Sequence, residues 1–277
     1  MKELKEFYRN NETQQDVLKN TTDLLRTCFN IDDFWYRTLN EGGHLSGGCS
    51  NLDAFYHFWD NECYKGIPYF VSPENLKSGA FLLDDDPEYK RYQDYVEPDY
   101  PVYNPLLIIR KNSQGTASLF GFQSRRHIPG FSSYYINHLP LLNGLIDHFV
   151  ASNQKTLIKS EDSGINIAKL KGNDLFYGKS YGERFLPSTN TAYDYLRKIG
   201  APPILLNYAK KLTPREKEII NSIIEGKAAL QIANELNLSR RTVEFYIRNV
   251  KNKLGIFSKV ELIECGRLLK LAGLLSY

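Results

Sequence analysis

No apolar stretch in this chain exceeds a few residues, far short of the roughly 20 that a membrane-spanning helix needs. The opening residues, MKELKEFYRNNETQQ, are too polar for the apolar segment of a signal peptide, so a cytoplasmic protein with no membrane partner is expected. Cysteine is scarce. Cys28, Cys49, Cys63 and Cys265 are scattered through 277 residues without a C-x-x-C pair, which excludes a disulfide framework and gives no metal-ligand spacing. Also missing are a phosphate-binding glycine loop, H-E-x-x-H and G-x-S-x-G. His57, Asp60, Glu62 and Cys63 do gather in one stretch. His57 and Cys63 fall on different helix faces, however, and nothing supplies an oxyanion hole or a third orienting group. No catalytic residue, metal or cofactor is expected, and the protein is read as a non-enzyme; a Cys/His enzyme fused to another domain is the alternative.

What the chain does have is an uneven charge. Residues 208–277 carry 13 basic and 7 acidic side chains, a net +6, whereas the first 207 carry 22 and 25, a net −3. Aromatics concentrate in the acidic part. A basic, aromatic-poor end on an acidic, aromatic-rich body points to two domains with different partners.

Hydrophobic spacing predicts a helix over 11–30, strands around the glycines of 33–50, and a helix over 51–64 with Leu52, Phe55, Tyr56 and Trp59 on one side. Strands are predicted over 67–83, and a hairpin over 102–124. A longer helix over 131–153 would bury Tyr134, Leu141, Leu145, Ile146 and Phe149, and a short hairpin follows over 165–178. The expected fold is an α+β domain over 1–185 (an antiparallel sheet with helices), a linker over 186–208 marked by Pro202-Pro203, and an all-α domain of four helices over 209–277.

The C-terminal signals agree closely with one another. Thr213-Pro214-Arg215-Glu216 is a capping box with proline at the first helical position. Ile219, Ile220, Ile223 and Ile224 follow on one face, and Gly226 ends the helix. Ala229, Ile232, Ala233 and Leu236 mark a short second helix, Asn237-Leu238 a turn, and Ser239 the cap of a third helix that Gly255 stops. On that third helix Val243, Ile247, Val250 and Leu254 make a narrow apolar stripe. Opposite lie Arg241, Phe245, Arg248, Asn249 and Asn252, flanked by Arg240, Glu244, Lys251 and Lys253. A helix of this size fits the DNA major groove, where arginine can read guanine and an apolar group the thymine methyl, while flanking cations meet phosphates.

The segment from Leu212 to Ile256 resembles the LuxR-type helix-turn-helix. The landmarks are Leu212-Thr213-x-Arg215-Glu216, Gly226, Ile232-Ala233, Leu236, Ser239, Thr242-Val243 and Lys253-Leu254-Gly255. Ala228 stands where that family usually has Ser or Thr, and Leu230 where a polar residue is usual. The resemblance implies a transcriptional regulator that binds double-stranded DNA. Glu244, Phe245 and Arg248 would lie at base-reading positions, with Arg241, Thr242 and Lys251 near the backbone. It also implies a fourth helix from Ser258 that dimerises in the family. Leu262, Cys265, Gly266 and Leu269 would form that seam or, equally, an intramolecular core. A homodimer would read an inverted repeat with half-sites about one helical turn apart.

The body resembles, at the level of fold, the PAS- and GAF-like sensor domains and the autoinducer-binding domains that precede such tails. A small apolar ligand held by Trp35, Tyr56, Trp59, Tyr69 or Phe120 is one reading, and plain core packing of those aromatics is the other. Control by a protein partner is the alternative to a ligand. A phosphorylated receiver does not fit, because Phe81-Leu82-Leu83-Asp84-Asp85-Asp86 lies too far along and lacks the βαβ alternation. The strand-containing acidic body also differs from the promoter-melting region of a sigma factor.

Overall fold

A computed structural model describes residues 2–96, 102–112, 114–161, 163–182, 211–271 and 274–275. The chain divides into two compact units, one of Met1–Lys111 and Gly115–Glu183, the other of Asn112–Gln114 and Arg184–Tyr277. The linker expected over 186–208 lies outside the described residues.

The first unit is built on one antiparallel sheet of six strands, in the order β3-β4-β5-β1-β2-β6. Its strands are β1 (Asp33–Asn40), β2 (His44–Cys49), β3 (Gly79–Leu82), β4 (Tyr103–Lys111), β5 (Thr116–Ser124) and β6 (Ile165–Asn166). Side chains alternate across a strand, and the two faces feed two separate cores. Leu39, Leu45, Leu107, Ile109 and Leu119 belong to one. Phe34, Tyr36, Leu106, Ile108, Phe120 and Phe122 belong to the other. Helices cover both faces. Phe7 of α1 (Lys2–Thr13), Phe55 and Trp59 of α3 (Leu52–Asp60), and Tyr89 of α4 (Pro87–Val96) enter the first core. Ile167 and Ala168 of α6 (Ile167–Lys171) and Phe176 of α7 (Asn173–Tyr177) join them there. Leu18 and Leu25 of α2 (Gln15–Phe29), with Tyr135, Leu142, Ile146 and Phe149 of α5 (Phe131–Glu161), fill the second.

Local chemistry sets the boundaries. Asn30 at φ 54° ends α2, since asparagine tolerates the left-handed region. The Asn51 side chain accepts from Ala54 N at 3.1 Å and starts α3.

Four expectations need correction. The helix expected over 11–30 is α2, and a separate helix, α1, precedes it from Lys2 to Thr13. Of residues 67–83 only Gly79–Leu82 is strand. Pro68 and Pro73 interrupt the ladder there; Ile67, Tyr69, Phe70 and Val71 are nonetheless buried. The backbone of that segment finds other partners: Lys171 Nζ donates to Phe70 O at 3.0 Å and to Ile67 O, and Ser72 N to Phe176 O at 2.8 Å. The hairpin expected over 165–178 is instead β6 followed by α6 and α7, because Asn166 caps α6 by accepting from Lys169 N at 2.9 Å. Finally, α5 buries Tyr135 and Leu142 rather than Tyr134 and Leu141, and Leu141 is exposed.

The second unit holds α8 (Pro214–Ile224), α9 (Ala229–Glu235), α10 (Arg240–Leu254) and α11 (Lys259–Leu271). Their inner faces form one core around Ile219, Ile220, Ile223, Ile232, Val243, Val250, Leu254, Leu262 and Leu269.

Candidate functional site

The ends of α8, α9 and α10 are held by their own sequence. Thr213 Oγ1 accepts from Glu216 N (3.3 Å) while Glu216 accepts from Thr213 N (2.8 Å), completing the capping box of α8. Gly226 follows α8 at φ 83°. At Ala228 the cap is one-sided, since alanine has no acceptor: only Gln231 Oε1, accepting from Ala228 N at 2.8 Å, holds the start of α9. Asn237 at φ 52° turns the chain, Ser239 Oγ accepts from Thr242 N at 3.0 Å, and α10 runs to Gly255 at φ 66°. Arg215 ties α8 to the end of α9 through Leu236 O at 3.1 Å.

This leaves one face of α10 open. Val243, Val250 and Leu254 are buried, whereas Arg240, Arg241, Glu244, Phe245 and Arg248 are exposed and Thr242, Asn249, Lys251 and Lys253 partly so. Phe245, half exposed, carries the Arg248 guanidinium 5.7 Å from its ring centroid. Arg240 Nε donates to Glu244 at 2.7 Å. Lys253 departs from its neighbours, because its Nζ donates to Glu216 at 2.7 Å.

In the first unit the β1–β5 side of the sheet borders a cavity of about 110 Å³. Its floor is Trp35 and Arg37 of β1, Cys49 of β2 and Gln123 of β5; Ala54, Phe55, His57 and Phe58 of α3 form one wall. Ile67, Tyr69 and Phe70 of the 61–78 segment form another, with Tyr89, Tyr92 and Val102 beyond. Trp35 stacks on Tyr69 (centroids 6.0 Å, 13°), and Tyr69 on Tyr89 (6.3 Å, 23°). Gly121 makes room for this stack, since a Cβ there would fall inside the Trp35 indole. Burial pushes the Cys49 thiol up to about 11 and lowers the Arg37 guanidinium from its ordinary value.

Residues 210–265 match the family described as bacterial regulatory proteins, luxR family. The C-terminal domain is a LuxR-type helix-turn-helix. Several proteins that match this segment carry the names of regulators. The uncharacterized response regulatory protein YgeK of Escherichia coli (strain K12) is 38% identical over 85 residues, 29% of this chain and 58% of that one. The transcriptional activator protein SolR of Ralstonia nicotianae is 34% identical over 74 residues, 27% of this chain and 31% of its own length. The transcriptional regulatory protein DesR of Bacillus subtilis is 36% identical over 70 residues, 24% and 35%. The chain therefore spans less than two thirds of each of these relatives. The crystal structure of Escherichia coli SdiA aligns over 93% of this chain and 90% of that one at 15% identity. Its TM-score of 0.36 transfers neither ligand nor assembly.

On the LuxR-type domain the residues singled out on α10 form one outward face, except that Lys253 is engaged by Glu216. The two readings of α11 resolve toward the intramolecular core: Leu262 and Leu269 are fully buried, and a Cβ at Gly266 would stand 2.8 Å from Ile220.

 

Of the five aromatics proposed as ligand contacts, the structure brings Trp35 and Tyr69 to the cavity. The other three lie elsewhere. Phe120 sits on the opposite face of the sheet, in the second core. Trp59 is core, stacked on Tyr64 (5.2 Å), with Nε1 buried and unbonded among the described residues. Tyr56 turns outward, and its hydroxyl donates to Glu12 at 2.5 Å. Arg37, Cys49, Phe55, Phe58, Phe70 and Gln123 were missed. The alternation Phe34-Trp35-Tyr36-Arg37 in β1 was the available signal, since it places Trp35 and Arg37 on one face. The Cys63 thiol faces Asn61 O at 3.9 Å and burial raises its pKa, whereas His57 faces the cavity. Among the described residues, no cluster of three His, Cys, Asp or Glu side chains could hold a metal ion, and no helix is long and apolar enough to cross a membrane.

Proposed function

We propose that the protein is a transcriptional regulator that binds specific double-stranded DNA through α10 and whose first unit responds to a small molecule in the cavity between β1 and α3. The observation that carries the DNA reading is the open face of α10. Arg241, Phe245, Arg248 and Asn249 project from the side opposite Val243, Val250 and Leu254, in a domain matched to the luxR family. With 15 residues, α10 is about 22 Å long at 1.5 Å per residue, enough to lie along a major groove about 12 Å wide. Arg248 and Phe245 read base edges, and Arg241, Thr242 and Lys251 hold the backbone.

We assign binding by a homodimer on an inverted repeat, the arrangement in which operator symmetry follows protein symmetry. Because Leu262 and Leu269 serve the domain's own core, a seam on α11 would have to use its other face, where Val260 is 65% exposed. We assign no catalytic role: the raised thiol pKa of Cys49 and Cys63 favours the unreactive protonated form.

The test is selection of binding sites from random duplex DNA with the full-length protein, followed by native mass spectrometry with and without extract of the source cells. Enrichment of a palindrome and a mass increment on a dimer support the reading. Failure to enrich any sequence sinks the DNA half, and an unchanged mass in extract sinks the ligand half.

A further inference from the structure

Arg37 stands out among the cavity residues because no carboxylate among the described residues pairs with its charge. The residue is 5% exposed. Its Nη1 donates to Tyr36 O at 2.8 Å, and its guanidinium lies 5.8 Å from the Phe7 ring centroid and 5.6 Å from that of Phe55. Among the described residues no Asp or Glu pairs with it, and its Nε and Nη2 make no hydrogen bond. A guanidinium keeps its charge when buried. Removing it from water without a partner is unfavourable, and contacts with two ring faces offset only part of that cost. A fold that holds such a group at the wall of a cavity is complete when an anion enters.

Resting on the ligand reading above, we infer that the cavity takes a small apolar monocarboxylic acid, with the carboxylate on the free donors of Arg37 and the apolar body among the rings. The guanidinium fork matches a carboxylate in two parallel hydrogen bonds. Trp35, Phe55, Phe58, Tyr69 and Phe70 surround the remaining space. They would receive a ring or short chain and would not solvate a second charge. A phosphate dianion fits poorly for that reason, as Arg37 is the one permanent cation in the described lining, with the imidazole of His57 on the α3 wall. Gln123 and the neutral Cys49 thiol are the remaining polar groups near the floor.

The test uses full-length protein and four probes in matched pairs: phenylacetate with phenylacetamide, and hexanoate with hexanamide. Each pair differs in charge and hardly in shape. Binding is read from the change in tryptophan fluorescence; of the two tryptophans, Trp35 is at the cavity wall and Trp59 is in the core. At least one acid should bind roughly ten- to a hundred-fold more tightly than its amide, the range of a hydrogen-bonded charge. In Arg37→Gln that preference should collapse to about twofold, given that side chain's lack of charge. Arg37→Lys keeps the charge but loses the fork and should fall between; it also serves if Arg37→Gln does not fold. Amides binding as tightly as acids, neither acid binding, or a preference that survives both substitutions would overturn the assignment. A neutral compound recovered by native mass spectrometry would overturn it as well, while leaving the small-molecule reading intact.

Discussion

Glu216, in the first turn of α8, accepts Lys253 Nζ from the last turn of α10 at 2.7 Å with the same carboxylate oxygen that accepts Thr213 N at 2.8 Å. One buried carboxylate thus caps α8, the first helix of the domain, and fixes the end of α10. Lys253, which also donates to Lys211 O at 3.4 Å, is a brace within the domain. Glu216→Ala should destabilise the C-terminal domain by about 1–3 kcal/mol, through loss of the cap acceptor and of the charged hydrogen bond. Urea unfolding followed by hydrogen exchange of the C-terminal helices would measure it. Lys253→Ala should lower the same stability while leaving the salt dependence of DNA binding unchanged. A drop of about one in that slope would place the amine on a phosphate instead.

Arg248 and Lys251 should separate in the opposite way. Arg248→Ala is expected to cost about 1–3 kcal/mol at its preferred site and to relax the sequence preference there. Lys251→Ala should weaken binding to all sequences alike and reduce the slope of log K against log salt by about one. Titration of a selected and a scrambled duplex at two salt concentrations checks both.

Gly121 faces the Trp35 indole so closely that a methyl group cannot be added without moving the ring. Gly121→Ala should therefore displace Trp35 into the cavity and destabilise the first unit by about 1–3 kcal/mol, the usual cost of overpacking. A shifted tryptophan emission maximum together with weaker ligand binding is the expected signature. Unchanged emission would mean that the sheet, not the indole, had given way.

The Cys49 thiol, held near 11 instead of its ordinary value of about 9 by burial, makes stability fall at alkaline pH. The folded state keeps the proton where the unfolded chain has already lost it. The contribution is whole below pH 9 and disappears as pH rises through 11. At pH 10 wild type should have lost about 1 kcal/mol relative to Cys49→Ala, from one unit above the unfolded pKa. Denaturant melts of both proteins at pH 8 and pH 10 would show it. At pH 8 iodoacetamide should modify the exposed Cys28 long before Cys49 or Cys63.

The C-terminal domain was legible because its information is local. Caps at Thr213 and Ser239, stops at Gly226 and Gly255, and the stripe through Val243 and Val250 each act within a few residues. The α4 helix was overlooked although Asp86-Pro87 is a readable start, with Asp86 Oδ1 accepting from Glu88 N at 2.9 Å. The segment 67–78 was misread because its apolar content reports burial, and a buried coil and a buried strand look alike in composition. The cavity was the least legible part. Trp35 and Tyr69 meet across 34 residues of sequence, and no spacing rule announces that Phe120, just before Gly121, looks away from them.

Strand β1 divides its side chains between two neighbours that never meet: Trp35 and Arg37 border the cavity, while Phe34 and Tyr36 bind the sheet to α2 and α5. Cavity lining and sheet cohesion are thereby interleaved along a single run of chain, one residue apart. Positions 35 and 37 can change the shape and charge of the cavity while 34 and 36 keep the sheet anchored. A one-residue slip of the strand would exchange the two sets and spoil both at once. The same arrangement would give the proposed carboxylate a direct hold on the middle of the sheet, because Arg37 belongs to the strand between β5 and β2.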